Sequence, residues 1–196
     1  GQVKSDYHIH TKYSRDSSAE PEEILARAKQ LGLKRIAITD HDTIKGGMKT
    51  EKLSSDSVEV VPGIEVSTNQ GHLIGLDIRE EVESSDLIEV CKEIKDKGGE
   101  VYAPHPFDKL RRSALGYSVY EIVDYLDYVE KFNGRCMLNR FNERAKKFAE
   151  EQGIATLSGS DAHFVFEVGN FENDWIKKAR SAAGFVSTKL YKVIRG

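Results

Sequence analysis

Arg35-Ile36-Ala37-Ile38-Thr39-Asp40-His41-Asp42 reads as a short buried strand that runs straight into a polar turn bearing a histidine. A brief apolar run of this kind suits a strand covered on both faces, as in parallel sheets. Just upstream, Pro21-Glu22-Glu23 opens a helix with Ile24, Leu25, Ala28 and Leu31 on one face and Gly32 at its end. Before that helix, Val3 to His10 reads as a first strand. The unit is therefore strand, helix, strand.

The rhythm continues downstream. A weaker helical stretch follows Gly47, and Val58 to Val61 is a third strand leading through Pro62-Gly63 to Ile64-Glu65-Val66. His72 to Leu76, after Asn69-Gln70-Gly71, predicts a hairpin. Asp86 to Lys97 is a helix with Leu87, Ile88, Cys91 and Ile94 inward, and Glu100 to Ala103 is a strand delivering Pro104-His105-Pro106. Ser118 and Glu121 have capping-box spacing ahead of Ile122 and Val123. Tyr128 to Phe132 is a strand ending at Asn133. The longest helix carries Leu138, Phe141, Ala145 and Phe148 up to Gly153, and Ile154 to Leu157 delivers Gly159-Ser160-Asp161-Ala162-His163. The tail predicts a helix from about Asn173 to Ala183 and a strand near Phe185-Val186.

Such alternation argues for an α/β fold with a mostly parallel sheet in one domain spanning 1–196. His10, His41, His105 and Asp161 all follow the carboxyl ends of their strands, the rim on which parallel barrels build active sites. A closed or nearly closed barrel brings these residues together, whereas an open sheet spreads them apart.

Composition narrows the function. With 39% hydrophobic and 31% charged residues among 196, the chain is an ordinary globular one. A net charge of −3 gives no general pull on nucleic acid or an anionic membrane, and no basic stripe or aromatic run stands out, which disfavours long nucleic acid. No apolar run approaches the ~20 residues of a membrane span, and Gly1 to Ser5 lacks a signal's apolar core. Cys91 and Cys136 share no metal-type spacing and read as buried, reduced thiols, so a cytoplasmic location is expected. No obligate protein partner is evident.

All six histidines, His8, His10, His41, His72, His105 and His163, sit beside carboxylates, prolines or glycines at strand ends. Imidazole is the commonest metal ligand, and carboxylates supply hard or bridging positions. His8 and His10, two apart on a strand, share a face, as do Asp161 and His163. Alone, His8 and His10 read better as two surface histidines, and Asp161 and His163 equally well as a helix cap and a turn residue; together the clusters point to a metalloenzyme. Prolines on both sides make His105 a rigid ligand or a held core histidine. Asp42 reads as a cap for its turn, and Asp16 as either a ligand or a helix cap.

Asp6-x-His8-x-His10-Thr11, Ile38-Thr39-Asp40-His41-Asp42, Pro62-Gly63-Ile64-Glu65, Ala103-Pro104-His105-Pro106 and Gly159-Ser160-Asp161-Ala162-His163 resemble, in order, the motifs of the PHP (polymerase and histidinol phosphatase) family. The resemblance spans about residues 6–163 and leaves 164–196 unassigned. It implies a small distorted (β/α)7-type barrel with the metal site at its C-terminal rim, in a protein similar to the stand-alone metal-dependent phosphoesterases. One ion would use His8, His10, Glu65 and Asp161. Glu65 would bridge to a second ion held with His105 and His72, and Asp16, His41 and His163 would hold a third. Glu65, His105 and Asp161 would carry the catalytic work, with Asn133 in a segment near the site.

The chemistry fits. Two divalent ions held ~3.5–4 Å apart bind ester oxygens, steady the leaving group and lower the pKa of a bridging water, giving a metal-bridging hydroxide as nucleophile. Mixed nitrogen and oxygen ligands suit Zn, Mn or Fe. Arg111 and Arg112 are placed to grip phosphate, with Lys12 and Arg135 behind them. The expected function is hydrolysis of a small phosphorylated substrate, a nucleotide or short oligonucleotide among them. The alternatives are C–N bond hydrolysis as in amidohydrolases and a non-catalytic metal-binding module. No general acid is evident.

Overall fold

The computed structural model describes residues 4–171, and along them seven strands and four α-helices alternate. The strands are β1 (Ser5–Ile9), β2 (Arg35–Ile38), β3 (Glu59–Thr68), β4 (Gly71–Leu76), β5 (Glu100–Ala103), β6 (Tyr128–Asn133) and β7 (Ala155–Gly159). The helices are α1 (Pro21–Gln30), α2 (Lys45–Leu53), α3 (Leu87–Asp96) and α4 (Asn139–Gln152). The strands form one sheet in chain order; only β4 runs against its neighbours. The sheet curls until β1 meets the end of β7. There Ile9 bridges Ala162, and the His10 amide donates to the Ala162 carbonyl at 2.8 Å. The result is the expected nearly closed α/β barrel.

Local chemistry explains the elements. Pro21 occupies the first turn of α1, with Glu22 and Glu23 there and Arg27 and Lys29 in the last turn, matching the helix dipole at both ends. Asp86 caps α3 by accepting from the Ile88 and Glu89 amides at 3.1 and 3.2 Å. Behind that cap Leu87, Val90, Cys91 and Ile94 are fully buried, each large aliphatic side chain contributing about 1.5–3 kcal/mol. Gly153 closes α4 in the left-handed conformation (φ 67°) that other residues resist. Cys91 and Cys136 are free and buried, as expected.

Several expectations are corrected. Pro62-Gly63 does not break the third strand: Pro62 is the last residue paired with β2 and Gly63 the first paired with β4, so the missing amide proton falls where one ladder hands over to the other. Ser118 and Glu121 form no capping box. A 3₁₀ helix (Gly116–Tyr125) begins earlier, the Ser118 amide already donates to the Leu115 carbonyl, and Glu121 accepts from Gln70. α2 begins at Lys45, ahead of Gly47. Asp42 does not cap it but grips β3, accepting from the Ser67 amide at 2.7 Å and hydroxyl at 2.9 Å. The helix and strand expected within Asn173–Val186 lie outside the described residues.

Closure of the barrel depends on Gly159. A Cβ there would lie 2.3 Å from the His8 Cβ and 2.6 Å from Glu130 Oε2. Gly159→Ala is therefore expected to cost about 2 kcal/mol or more, toward the upper end for overpacked cores, and to weaken metal binding through His8. Chemical denaturation checks this; an unchanged midpoint contradicts it.

Candidate metal centre

One rim of the barrel delivers the polar residues. His8 and His10 leave the carboxyl end of β1, Glu65 projects from within β3 beside His41, His105 follows β5, and Asp161 and His163 follow β7, while His72 comes from the amino end of the antiparallel β4. His105 (φ 28°) and Asp161 (φ 56°) adopt left-handed backbone, a strain of about 1–3 kcal/mol that the surrounding structure must hold in place. Fixed by Pro104 and Pro106, His105 turns its amide onto Glu130 Oε1 at 2.9 Å.

Glu65 is the hub. Its Oε2 lies 3.4 Å from His8 Nε2, 3.2 Å from His10 Nε2 and 3.3 Å from His41 Nδ1. Its Oε1 lies 3.0 Å from His72 Nδ1 and 3.2 Å from His105 Nε2. Asp161 Oδ1 faces His8 Nε2 at 3.3 Å and His10 Nε2 at 3.2 Å. Asp16 Oδ2 sits 3.3 Å from His41 Nε2 and 3.2 Å from His163 Nε2. Asp16 is no helix cap, because α1 begins after Glu20. All six imidazoles thus converge on three carboxylates.

Outer partners fix which ring nitrogen faces inward. His8 Nδ1 is 2.8 Å from Glu130 Oε2, and His163 Nδ1 is 2.8 Å from the Asp161 carbonyl; both are acceptors, so each Nδ1 carries the proton. Ser14 gives its single hydroxyl proton to Asp40 Oδ1 at 2.7 Å, and so accepts from His10 Nδ1 at 3.2 Å. In the neutral rings the Nε2 lone pairs of His8, His10 and His163 therefore point at carboxylate oxygens. Lone pairs facing anions in a buried site call for a cation between them. Among the described residues, His10 Nε2, His41 Nδ1 and His105 Nδ1 are moreover buried without a hydrogen-bond partner.

The electrostatics agree. Burial alone would lower the His10 pKa, yet Asp161 and Glu65 raise it to about 9. Against the opposing effect of burial, His8 and its neighbours hold the Glu65 carboxyl well below its usual range. Burial first, then contact with His8 and Arg111, acts in the same two directions on Asp161, with the net shift downward. The pocket demands positive charge. Four overlapping donor sets lie within 4.8 Å: His8, His10 and Glu65; His8, His105 and Asp161; His41, Glu65 and His72; and His10, His41 and His163. Imidazole with carboxylate is the donor chemistry of Zn, Mn or Fe, so the residues fit a metal centre.

The centre floors a cleft of about 570 Å³. Arg111 lines it, with Nη1 2.5 Å from Asp161 Oδ2 and Nε 2.9 Å from Asp108. Arg135 lines it too, bonded to Glu167 at 3.2 Å. Asn133 is buried and donates to Glu130 at 2.7 Å and Asp161 at 3.2 Å, so it orients neighbours. Lys12 and Arg112 are not brought to the cleft: Lys12 pairs with Glu20 at 2.8 Å, and Arg112 is exposed outside the lining.

Sequence reading missed Glu130, which accepts from His8, Tyr102, the His105 amide and Asn133 while fully buried. Its signal was a carboxylate in mid-strand, on the same face as Tyr128 and Phe132 two residues to either side. It also missed Ser14, which sets His10, and Asp108, which holds Arg111.

Fold and site together define a metal-binding α/β barrel of the hydrolase kind. The chain belongs to the PHP domain family, whose model matches residues 6–182. It is 42% identical over 143 residues to an uncharacterized protein of Methanocaldococcus jannaschii, covering 67% of this chain and 82% of that one. Over 82 residues it is 38% identical to the phosphoribosyl 1,2-cyclic phosphate 1,2-diphosphodiesterase of Eggerthella lenta, covering 38% of this chain and 31% of that one. A solved two-domain protein of Bacteroides vulgatus, containing a predicted PHP-like metal-dependent phosphoesterase, shares the fold. It has a TM-score of 0.72 and 18% identity, over 84% of this chain and 53% of that one. Among the described residues no helix is long and apolar enough to cross a membrane.

Proposed function

We propose that this protein hydrolyses phosphate esters at a centre of two or three divalent ions. The observation that carries the reading is the division of labour at Glu65: Oε2 faces His8, His10 and His41, while Oε1 faces His72 and His105. A carboxylate whose two oxygens serve different imidazole sets is built to bridge. His8, His10 and Asp161 would complete the first ion's shell, His72 and His105 the second's, and Asp16, His41 and His163 a third's. Zn, Mn or Fe bound there would supply charge to the ester oxygens and acidify the attacking water.

The chain's own residues do the positioning. Glu130 holds the His8 proton on Nδ1 and so keeps Nε2 available as a ligand. Glu130→Gln keeps the shape but loses that anionic acceptor, and is expected to lower metal affinity or activity about 10- to 100-fold. Metal titration checks this; wild-type affinity and turnover would contradict it. Arg111 presents its guanidinium to the cleft beside Asp161, where it would hold non-reacting phosphate oxygens. Arg111→Ala should lower kcat/KM about ten- to a hundredfold at unchanged metal content, with Lys rescuing only in part. Wild-type kinetics in Arg111→Ala would move the phosphate grip elsewhere.

The reading is tested with metal-reconstituted protein and a panel of phosphomonoesters, phosphodiesters and amides. Chelator-sensitive release of phosphate or alcohol supports it. Release of amine alone would assign the barrel to C–N hydrolysis.

A further inference from the structure

The cleft over the metal centre has a polar floor and an apolar mouth. Setting aside the imidazole and carboxylate cluster and the charged groups beside it, four lining residues remain among the described ones: Ser113, Leu110, Met137 and Phe164. Three of the four are large and apolar, yet Leu110 is 61% exposed, Met137 57% and Phe164 46%. The topology gathers them. Leu110 follows β5, Met137 follows β6 and Phe164 follows β7, so three neighbouring strand-end loops each place one on the same rim. Phe166 backs one face of the Phe164 ring, with centroids 5.6 Å apart and planes 9° from parallel. Its opposite face is left for a ligand.

Polar groups on that wall are already engaged. Arg111 pairs with Asp161 and Asp108, and Arg135 with Glu167. A polyol bound there would give up water around its hydroxyls against Leu110, Met137 and Phe164 without gaining partners in exchange. A nucleobase could stack on Phe164, yet Ser113 is the one neutral polar side chain among the described lining residues to meet its edges. Apolar side chains grouped at a cleft mouth are instead a surface that gains by losing its water.

We propose that the cleft takes the phosphate ester of an apolar alcohol, alkyl or aryl, with its hydrocarbon group lodged between Leu110, Met137 and Phe164. The inference rests on the phosphoester reading above and names the substrate class of that same site. With the phosphate on the metal floor and Arg111, the rest of the ester extends toward the mouth, where these three side chains stand. Leucine and the flexible thioether of methionine fit a chain of varied shape, and a backed phenylalanine ring accepts a flat group. The polar floor would hold the phosphate and the apolar mouth would select the alcohol, the usual division in a small-molecule site.

The test is calorimetric binding of methyl-, butyl-, hexyl- and phenylphosphonate to Mn²⁺-reconstituted protein, with kcat/KM for the matching phosphate esters. From methyl to hexyl the affinity should rise about two- to fourfold per methylene, fourfold being the value for full burial. Hexyl- and phenylphosphonate distinguish an alkyl from an aryl group, and either supports the proposal by binding at least ten times more tightly than methylphosphonate. Alkyl alcohols leave with similar ease, so kcat/KM should follow the same trend along the alkyl series. Leu110→Ser, Met137→Ser and Phe164→Ser combined, three exposed changes that spare the core, should cut the hexyl-to-methyl ratio about tenfold or more. Leu53→Ser, at the end of α2 and outside the lining, should leave that ratio as it is. A flat series, a triple variant with the wild-type ratio, or tighter binding of ribose 5-phosphate or uridine monophosphate than of hexyl- and phenylphosphonate would overturn the proposal. Chain-length-dependent binding that the triple variant loses, in a protein hydrolysing no phosphoester, would sink the catalytic reading and leave the apolar subsite standing. Ester hydrolysis with no dependence on the alcohol would do the reverse.

Discussion

Glu65→Gln is expected to abolish turnover while the barrel stays folded. Five imidazoles point nitrogen atoms at this one carboxylate within 3.4 Å, three at one oxygen and two at the other. An amide of the same shape offers one oxygen and one NH2, so it cannot bridge cations, and its donor face would meet ring nitrogens that are themselves meant to ligate. Metal content should fall by at least one ion. Activity should drop by about a thousandfold or more, equivalent to about 4 kcal/mol of lost transition-state stabilisation. Circular dichroism should be unchanged, because the strand hydrogen bonds around Glu65 are backbone ones. Near-normal kcat in Glu65→Gln would remove this residue from the centre of the mechanism.

Asp161→Ala should be nearly as damaging, and should cost stability as well. Asp161 faces His8 and His10 and pairs with Arg111 while almost wholly buried. Removing it strips a ligand from the first ion's shell and leaves Arg111 with Asp108 as its remaining carboxylate. Breaking a buried pair from one side typically costs about 3–5 kcal/mol. Urea unfolding together with metal titration would show both losses. His41→Ala, on the Asp16 side of the cluster, should hurt turnover less; equal damage would reverse the order of importance of the ions.

Much of this site was readable because β-strand chemistry is local. His8-x-His10 shares a face through the two-residue period of β1, whereas Asp161 and His163 lie beyond β7, with Asp161 in left-handed backbone, so the strand period expected for that pair does not hold and only their place after a strand end was readable. Helix ends were readable for the same reason at Pro21 and Gly153. What escaped depends on partners distant in sequence. Glu130 looks like an ordinary strand residue until the barrel closes and β7 brings Gly159 against His8. Pro62-Gly63 looks like a break until β3 is seen changing neighbours there. Leu110, Met137 and Phe164 form no apolar run along the chain, and only the folding of three strand-end loops onto one rim turns them into one surface. Lys12 and Arg112 err the other way: nearness in sequence to a ligand says little about which way a long side chain points.

The most direct test of the metal centre is elemental analysis of protein purified anaerobically and reconstituted, run alongside its phosphoesterase activity before and after chelation. The account predicts at least two transition-metal ions per chain and phosphoester hydrolysis that disappears with them. One ion or fewer per chain, or hydrolysis that survives complete metal removal, would contradict it.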